Sequence, residues 1–571
     1  MPIETYEFSE EGREALKSGP KGTNWPVVYI ISGDREAYIG ETCSMSTRMG
    51  QHLANEERRK LTTISVIVDE KFNKSAVLDL EQSLIQLCGA DGRFKLQNLN
   101  SGQSSRHDYY QRELYANRLP GIWRDLVDRG LAVHGLDEIR NSDLFKYSPY
   151  TTLTPEQREV SSDVMRDVIE TLSEGGRAAS VIHGSAGTGK TVLAMSMVFT
   201  LVNASRTGTD PAASIEGFTD EQLSIHELYE FVKNLGRPLK IGFVVPMYSI
   251  RKTLSKVFKA TGNGLRGRTV IGPSDASKDH FDILFVDESH RLSKRKNIVN
   301  MKAFDDACAR LGMDKFAANQ LDWIVASSDY QVLFYDETQS VRGSDITPEE
   351  FENSLPDRVQ HHTLTCQLRC NAGDDYPHYV ERILSCRQAH REDVQGYDLR
   401  MFDDVDEMVQ AIRALDKEIG LCRNVAGYGW EWNTKGMAPE DIRAKGLYDI
   451  EIGPHKYVWN ISNEEWILRP ESVDEIGCVH TTQGYDLNYV GVIFGPEIDY
   501  DETTGTIVVD PSKFFDVNAK KQSSDEEIHA NALNAYKVLM TRGIRGCFVY
   551  ACNDGLKGYL KRFFDFETES D

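Results

Sequence analysis

A glycine-rich segment at residues 184–191 constrains the fold of this chain more than any other feature of its sequence. It follows a short apolar run at residues 178–184 and precedes an apolar-rich stretch at residues 191–205. A strand, a glycine-rich loop and a helix in that order are typical of the phosphate-binding loop of α/β domains. The segment consists of Gly184, Ser185, Ala186, Gly187, Thr188, Gly189, Lys190 and Thr191. We therefore predict a parallel-sheet domain that binds a nucleotide at this loop.

The residue types in the loop indicate how the nucleotide is held. Glycines let successive backbone N–H groups surround a phosphate at the positive end of a helix. Lys190 is expected to reach the β- and γ-phosphates, and the hydroxyl of Thr191 to bind Mg²⁺. The sequence therefore predicts ATP and Mg²⁺ as cofactors.

Two carboxylates follow another apolar run, residues 281–286. Ligands of open α/β sheets bind at the carboxyl ends of the strands, which is where Asp287 and Glu288 are expected to lie. Asp287 is predicted to hold Mg²⁺, and Glu288 to orient and deprotonate the attacking water. The alternative is that these acids only solvate a loop, but the phosphate-binding loop upstream favours the functional interpretation.

Further segments separate a nucleic-acid motor from a small-molecule kinase. A kinase needs one phosphate-loop domain, whereas a motor closes a cleft between two domains and inserts arginines from the second. Gln339 follows the apolar run at residues 331–335 and is expected to sense a γ-phosphate. The segments 367–369, 480–486 and 539–546 follow later in the chain. Their presence favours the motor.

The order of these segments resembles that of superfamily 1 helicases. Over about residues 150–560 the chain is most similar to the Schlafen group 3-like DNA/RNA helicase family, especially at residues 425–436 and 475–498. This resemblance implies adenine recognition by Gln157, arginine fingers at Arg369 and Arg542, coupling of the ATP state to the strand by Gln483 and Asp486, and nucleotide contact at Gly484.

The amino-terminal region carries a second motif set. Short β-rich runs surround a helical pattern at residues 75–89, and the runs contain the triplets Val27-Val28-Tyr29 and Tyr38-Ile39-Gly40. Over about residues 24–102 the region resembles a GIY-YIG nuclease, although Val27 replaces the family's first glycine. The resemblance implies the following roles: Tyr29 activates water, Arg48 stabilises the phosphate, Glu81 holds a divalent metal, Tyr38 and His52 assist, and Asn98 supports the site. The alternative is a domain that kept the fold and lost cleavage.

These patterns predict an α/β protein with several domains. We expect a small mixed α/β GIY-YIG-like domain at residues 1–105 and a helical linker at 106–150. Two RecA-like parallel-sheet domains are expected to follow, at 151–360 with the ATP site and at 361–571. The clearest predicted strands there lie in residues 178–184, 240–246, 281–288, 331–337, 489–495 and 545–553.

Charge and composition narrow the class of partner. The net charge is −23, of which residues 1–150 carry about −3, so nonspecific coating of nucleic acid is disfavoured and binding is expected in local grooves.

No apolar run of about 18 residues is present and the first residues lack a secretory pattern, so we expect no membrane partner and a cytoplasmic location. The ten cysteines form no disulfide framework, and the spacing of Cys366 and Cys370 disfavours zinc.

Several side chains could contact the nucleic acid directly. Aromatic rings stack on bases without regard to sequence, although such rings more often belong to the core. The aromatic candidates are Tyr248, Tyr428, Trp430, Trp432 and Trp459, and the candidates for phosphate contact are Arg251, Lys252 and Lys256.

The sequence thus predicts an ATP-dependent nucleic-acid translocase or helicase with an amino-terminal Mg²⁺-dependent endonuclease domain. DNA is favoured over RNA, and defence against foreign DNA over DNA repair. One alternative is a nucleotide-switched DNA-binding module with an inactive nuclease-fold domain. Another alternative, a metabolic kinase, is disfavoured by the segments downstream of residue 360.

Overall fold

The computed structural model of the protein describes most of the chain. The described residues are 3–19, 22–98, 109–148, 151, 153–185, 187–207, 220–261, 265–296, 298, 300–336, 339, 344–366, 375–461, 466–482, 485–520 and 523–566. The chain divides into two compact units, Met1–Leu153 and Thr154–Asp571. Each unit is described by itself below.

The first unit is built on a five-stranded sheet in the order β1-β4-β2-β3-β5. All neighbouring strands are antiparallel except β3 and β5. The strands are β1 Ile3–Glu7, β2 Val27–Ser32, β3 Glu36–Thr42, β4 Thr63–Ile67 and β5 Lys95–Leu96. The apolar sequence of β2 is buried along its whole length, as expected for a central strand covered on both faces.

Alternate residues of β2 face two different hydrophobic clusters, because side chains alternate across a strand. Val28 and Ile30 pack with the long helix α3 and with the helices that follow it, including Trp123 of α5. Tyr29 and Ile31 face the other side, toward α2. The helices of this unit are α1 Glu10–Ser18, α2 Met45–Leu53, α3 Lys74–Asp91, α4 Arg112–Ala116, α5 Leu119–Asp128, α6 Leu136–Asn141 and α7 Asp143–Lys146. Residues predicted as a helical linker therefore contribute to the core of the first unit.

The second unit contains two six-stranded sheets whose named strands pair only in parallel. The first sheet has the order β11-β6-β10-β9-β7-β8. Its strands are β6 Ala178–Gly184, β7 Ile241–Val244, β8 Val270–Ile271, β9 Phe281–Val286, β10 Ser328–Tyr335 and β11 Val359–Leu364. The mixed α/β class with parallel sheets is confirmed.

The second sheet has the order β16-β13-β17-β20-β12-β21, and two short hairpins lie outside it. Its strands are β12 Asp398–Met401, β13 Cys422–Ala426, β16 Ile476–Gly477, β17 Leu487–Phe494, β20 Gly543–Ala551 and β21 Asp565–Phe566. The hairpins pair β14 Ile450–Ile452 with β15 His455–Tyr457, and β18 Ile498–Asp501 with β19 Thr506–Val509. Each of the six strands predicted for this unit is present.

Parallel strands need crossover connections, and most helices of the second unit lie in them. The helices are α8 Pro155–Glu174, α9 Lys190–Thr207, α10 Asp220–Leu235, α11 Tyr248–Thr261, α12 Pro273–Ala276, α13 Met301–Leu311, α14 Gln320–Ala326, α15 Pro348–Asn353, α16 Asp375–Leu384, α17 Val405–Ile419, α18 Pro439–Lys445, α19 Val479–Thr482, α20 Val517–Lys520, α21 Asp525–Met540 and α22 Asp554–Leu560. In the part of the chain that the structure describes, no helix is long and apolar enough to cross a membrane.

The first parallel sheet extends past the predicted domain boundary at residue 360. Strand β11 pairs in parallel with β6 from Val359 to Leu364, so the boundary falls inside this strand. Its sequence, VQHHTL, is polar and half-exposed at the sheet edge, which is why the apolar pattern did not identify it.

Candidate functional site

The phosphate-binding loop follows β6 and opens α9, and its glycines are required by the backbone. Gly187 and Gly189 have φ values of 91° and 77°, which residues with side chains rarely adopt. A Cβ atom at Gly184 would lie 2.5 Å from Oγ1 of Thr188. That hydroxyl donates to the carbonyl of Ser185 at 3.0 Å, which tightens the loop.

Lys190 is almost fully buried, with 7% of its side chain exposed. Its ammonium donates to the carbonyls of Gly184 and Ser185, the latter at 2.9 Å. It also lies 3.5 Å from Oδ2 of Asp336, at the end of β10. A phosphate that enters the loop must therefore compete with the carbonyls of the loop and with one carboxylate for this cation.

Thr191 and Asp287, the two residues predicted to hold Mg²⁺, are adjacent. The hydroxyl of Thr191 donates to Oδ2 of Asp287 at 3.0 Å. Burial and the charge of Glu288 raise the pKa of Asp287, while the hydroxyl of Thr191 and the charge of Lys190 lower it. Oxygen ligands next to a phosphate site are what Mg²⁺ prefers, so these two residues fit the ion.

Glu288 has an unusual backbone for a residue with a side chain, with φ of 51°. Oε2 of Glu288 lies 3.0 Å from Nε2 of His290. Burial opposes ionisation of Glu288, but His290, Lys190 and Arg542 together hold its pKa below the usual range. An ionised carboxylate at this position suits a general base.

A buried chain of polar contacts runs from the phosphate-binding loop to the second sheet. Nε2 of Gln339 donates to Oδ2 of Asp336 at 2.6 Å, and the same carboxylate faces Lys190. Arg542, which is 1% exposed and lies between α21 and β20, donates from Nη2 to Oε1 of Gln339 at 3.0 Å. Two residues predicted separately, Gln339 and Arg542, are thus in direct contact.

Asp336 was not identified from the sequence as a site residue. The sequence shows that Asp336 directly follows the strand β10. Only the strand order, with β10 beside β6, places it at the phosphate-binding loop. Gln157 also contacts the loop: its side-chain amide donates to the carbonyl of Thr188 at 3.0 Å. The predicted residues Ala186, Arg369, Gln483 and Gly484 lie outside the described residues.

The candidate base-stacking aromatics divide into two groups. Trp459 is 1% exposed, and Tyr428, Trp430 and Trp432 pack against the same hydrophobic cluster. These four rings therefore stabilise the core around the second sheet. Tyr248 on α11 is exposed, and the guanidinium of Arg251 lies 5.5 Å from the centre of its ring.

In the first unit, three predicted residues converge on one oxygen atom. Oη of Tyr29 on β2 lies 2.7 Å from Nε2 of His52, and Nε of Arg48 donates to it at 3.3 Å. Nδ1 of His52 faces the guanidinium of Arg58, which can only donate, so Nε2 carries the hydrogen of a neutral ring. Both His52 and Arg48 then donate to Tyr29 Oη.

Burial and neighbouring charges set the pKa values of this cluster. Burial, together with Arg58 and Arg48, lowers the pKa of His52 to about 3, so the ring is neutral. Burial raises the pKa of Tyr29 above its usual range, while the hydrogen bond from Arg48 acts in the opposite direction. A phenolate at Tyr29 therefore depends on the two donors that face it.

Gly40 of the second triplet leaves room for the tyrosine, since a Cβ atom there would lie 2.4 Å from Tyr29 Oη. Tyr38 packs against His52, with 4.8 Å between the ring centres. The side chain of Asn98 accepts from the backbone N–H of Ile39 at 3.2 Å and donates to the carbonyl of the same residue. Asn98 therefore binds the backbone of β3 at Ile39.

Glu81 on α3 lies near a second carboxylate. Burial and the charge of Glu41 raise the pKa of Glu81 to about 7, while Lys74 and Arg48 lower it. A carboxylate is a suitable oxygen ligand for a divalent cation, but Glu41 already forms an ion pair with Lys74. Within the described residues, no group of three or more His, Cys, Asp or Glu side chains forms a metal site.

Comparison with known proteins assigns most of the second unit. The family model described as Schlafen group 3, DNA/RNA helicase domain, matches residues 177–553. A relative from Saccharomyces cerevisiae, the uncharacterized protein YPL245W, is 26% identical over 451 residues, which cover 72% of this chain and 91% of the relative.

Similar solved structures include two proteins described as helicases. The Pif1 helicase from Bacteroides, in complex with ADP-AlF3 and ssDNA, is 10% identical with a TM-score of 0.25, over 70% of this chain and 94% of that chain. The Pif1 helicase from Candida albicans is 12% identical with a TM-score of 0.23, over 72% and 99%. A DEAD box protein from Methanococcus jannaschii is 13% identical with a TM-score of 0.21, over 71% and 91%.

Proposed function

The chain belongs to the Schlafen group 3 DNA/RNA helicase domain family, and from that premise we propose that it is an ATP-dependent nucleic-acid translocase or helicase. The observation that carries this proposal is the contact between Arg542 and Gln339 beside the phosphate-binding loop. An arginine that reaches a nucleotide site from a second sheet can make hydrolysis depend on how the two sheets are arranged.

Each residue of the site has a role in this proposal. Lys190 exchanges its loop carbonyls for the β- and γ-phosphates, and Arg542 stabilises the charge that develops on the transferred phosphoryl group. Thr191 and Asp287 would hold Mg²⁺, which neutralises phosphate charge when it is bound. Glu288, kept ionised by its neighbours, accepts the proton of the attacking water.

The remaining predicted residues couple the nucleotide to the strand. Gln157 would recognise adenine, and its present bond to Thr188 ties this recognition to the loop. Arg369 would supply a second arginine finger, Gly484 would contact the nucleotide, and Gln483 with Asp486 would connect the ATP state to bound nucleic acid. DNA is favoured as that nucleic acid, as the sequence predicts.

We further propose that the first unit is a GIY-YIG-type endonuclease. The two donors that converge on Tyr29 Oη support this assignment, because they stabilise an oxygen that takes a proton from water. In this role Arg48 also contacts the scissile phosphate, Glu81 holds the divalent metal, and Tyr38 orients His52. A nuclease joined to a motor is suited to defence against foreign DNA, which we favour over DNA repair.

An ATPase assay with single-stranded DNA, duplex DNA and RNA as alternative activators tests the motor. We expect nucleic acid to stimulate turnover, and Lys190→Ala to abolish it because the loop sequence contains no other Lys or Arg. Lys417→Ala, at an exposed position of α17, is the matched control and should leave turnover unchanged. A wild-type ATPase that no nucleic acid stimulates would contradict the motor and favour a nucleotide-switched binding module.

Nicking of a supercoiled plasmid with Mg²⁺ or Mn²⁺ tests the nuclease separately. Glu81→Ala and Arg48→Ala should abolish nicking but leave the ATPase rate unchanged, because both residues belong to the first unit. Persistent nicking by Glu81→Ala would remove this residue from metal binding. A wild-type protein that binds DNA without nicking it would favour the inactive nuclease fold.

A further inference from the structure

Part of the segment between β9 and β10, residues 291–316, is basic, although the chain as a whole is acidic. Residues 291–316 contain seven Lys or Arg and three Asp residues, in a chain whose net charge is −23. Two of these cations pair with carboxylates outside the range, Arg291 with Asp345 and Lys294 with Glu350. The other five remain for a local surface that suits an anionic partner.

One large apolar side chain is exposed on this segment. Phe316 is 75% exposed, whereas phenylalanine is usually buried. The guanidinium carbon of Arg295 lies 5.0 Å from the centre of its ring, and Nζ of Lys315 lies 5.4 Å from it. We refer to Phe316, Arg295 and Lys315 as the Phe316 platform.

The two cations of the platform are held by one carboxylate of α13. Arg295 donates to Asp305 from Nε at 2.6 Å and from Nη2 at 3.0 Å. Lys315 donates to the same side chain at 3.0 Å. These bonds lower the pKa of Asp305 to about 2, so the three charges leave a net charge of one positive. Because the cations are already ordered, a ligand need not order them on binding.

The platform stands on a small hydrophobic core of its own. Phe304 and Trp323 pack with 4.5 Å between their ring centres, and Ala307 and Cys308 complete the buried cluster. Phe316 is not part of this cluster, so its ring does not fill this core.

Further positive charge lies beside the platform. Lys302 precedes Asp305 by three residues on α13, and residues at this spacing are neighbours on a helix. Lys302 is exposed and Lys296 is partly exposed. An anionic ligand can therefore reach both cations from solvent.

From these observations we propose that the Phe316 platform binds single-stranded nucleic acid. The Phe316 ring stacks on an unpaired base, while Lys302 and Lys296 contact the phosphates on either side of it. Duplex nucleic acid fits less well because its bases are already stacked and paired. The proposal rests on the proposed nucleic-acid motor and adds a contact surface outside the ATP site.

Binding of fluorescein-labelled oligo(dT) and oligo(rU) of about 20 nucleotides, measured by anisotropy, tests the proposal. Phe316→Ala should raise Kd about fivefold or more, the lower end of the effect of losing one stacked base. Phe316→Trp should restore binding because it keeps the stacking ring. Tyr448→Ala, at another exposed aromatic of the same unit, is the matched control and should bind as the wild type does.

Two further arms separate stacking from charge. An abasic oligonucleotide with the same phosphates should bind more weakly and should not distinguish wild type from Phe316→Ala. The double substitution Lys296→Ala and Lys302→Ala should make log K fall less steeply with the logarithm of the salt concentration. The slope should become shallower by about 0.7 for each phosphate that the protein no longer neutralises. Thermal melts check that each variant is folded, and the wild-type melting temperature is expected for Phe316→Ala because this side chain is largely exposed.

The outcomes distinguish this proposal from the proposed function. Wild-type protein that binds oligonucleotide and shows a stimulated ATPase, with unchanged binding in Phe316→Ala, would overturn the platform alone. Wild-type protein that neither binds nor is stimulated would overturn both proposals. If a polyglutamate peptide bound at the platform as tightly as the oligonucleotides do, the partner would be an acidic protein. That result would overturn the nucleic-acid assignment.

Discussion

The buried contact between Arg542 and Gln339 makes a quantitative prediction about catalysis. Both side chains lie in the second unit, 203 residues apart in the chain, and their contact at 3.0 Å links its two sheets. We propose a double-mutant cycle with Gln339→Ala and Arg542→Lys, singly and combined. Lysine keeps the positive charge but does not have the planar fork that reaches Gln339.

The size of the coupling follows from the type of contact. A buried hydrogen bond to a charged group contributes about 1.5–3 kcal/mol. If the contact is retained in the transition state, Gln339→Ala should lower kcat about 10- to 150-fold in the wild-type background. In the Arg542→Lys background the partner is already absent, so the same substitution should have a much smaller effect.

The assay is steady-state phosphate release at saturating ATP and saturating nucleic acid. Melting temperatures of the four proteins control for unfolding, because Arg542 is buried and also donates to the carbonyl of Val538 at 3.1 Å. If Gln339→Ala lowered kcat by the same factor in both backgrounds, the two residues would act independently. That result would refute the dependence of hydrolysis on this contact.

Three other substitutions test separate parts of the structure. Asp336→Asn removes the carboxylate charge that faces Lys190, so ATP should bind about fivefold more tightly, an effect of about 1 kcal/mol. Titration with a fluorescent ATP analogue measures this change in Kd. Gly40→Ala places a methyl group against Tyr29 and should destabilise the first unit by about 1–3 kcal/mol, with loss of nicking. Burial raises the pKa of Glu497 to about 7, so the free energy of unfolding should fall as pH rises from about 4.5 to 7. Glu497→Gln should reduce that fall, which urea unfolding at pH 5 and pH 8 measures.

Each of these predictions has a result that contradicts it. Unchanged or weaker ATP binding by Asp336→Asn would mean that this carboxylate does not compete with phosphate. Normal melting of Gly40→Ala would mean that β3 can move away from Tyr29 at little cost. The direction of the pH dependence of stability follows from proton binding at Glu497. Between the unfolded and folded pKa values of this residue, the native protein binds more protons than the unfolded chain does. The free energy of unfolding therefore falls as pH rises. An equal pH dependence in Glu497→Gln would assign the effect to other groups.

Local features of this protein were predictable from its sequence. The six strands of the second unit and the helix α9 arise from apolar patterns, which act over a few residues. The glycines of the phosphate-binding loop adopt positive φ values that their neighbours could not adopt, so the loop conformation is also local. Edge strand β11 was missed because a polar strand at a sheet edge carries little apolar pattern.

The partners of the functional side chains depended on tertiary structure. Asp336 lies 146 residues from Lys190, and only the order of the strands places it at the phosphate-binding loop. Four of the five aromatics considered for base stacking pack in or against the core, because the fold, not the residue type, decides which rings remain exposed. The phosphate-binding loop and the parallel strands could be read from the amino acids alone, since backbone preferences and apolar spacing are short-range. The contact of Arg542 with Gln339 could not, because it forms only when packing brings distant segments of the chain together.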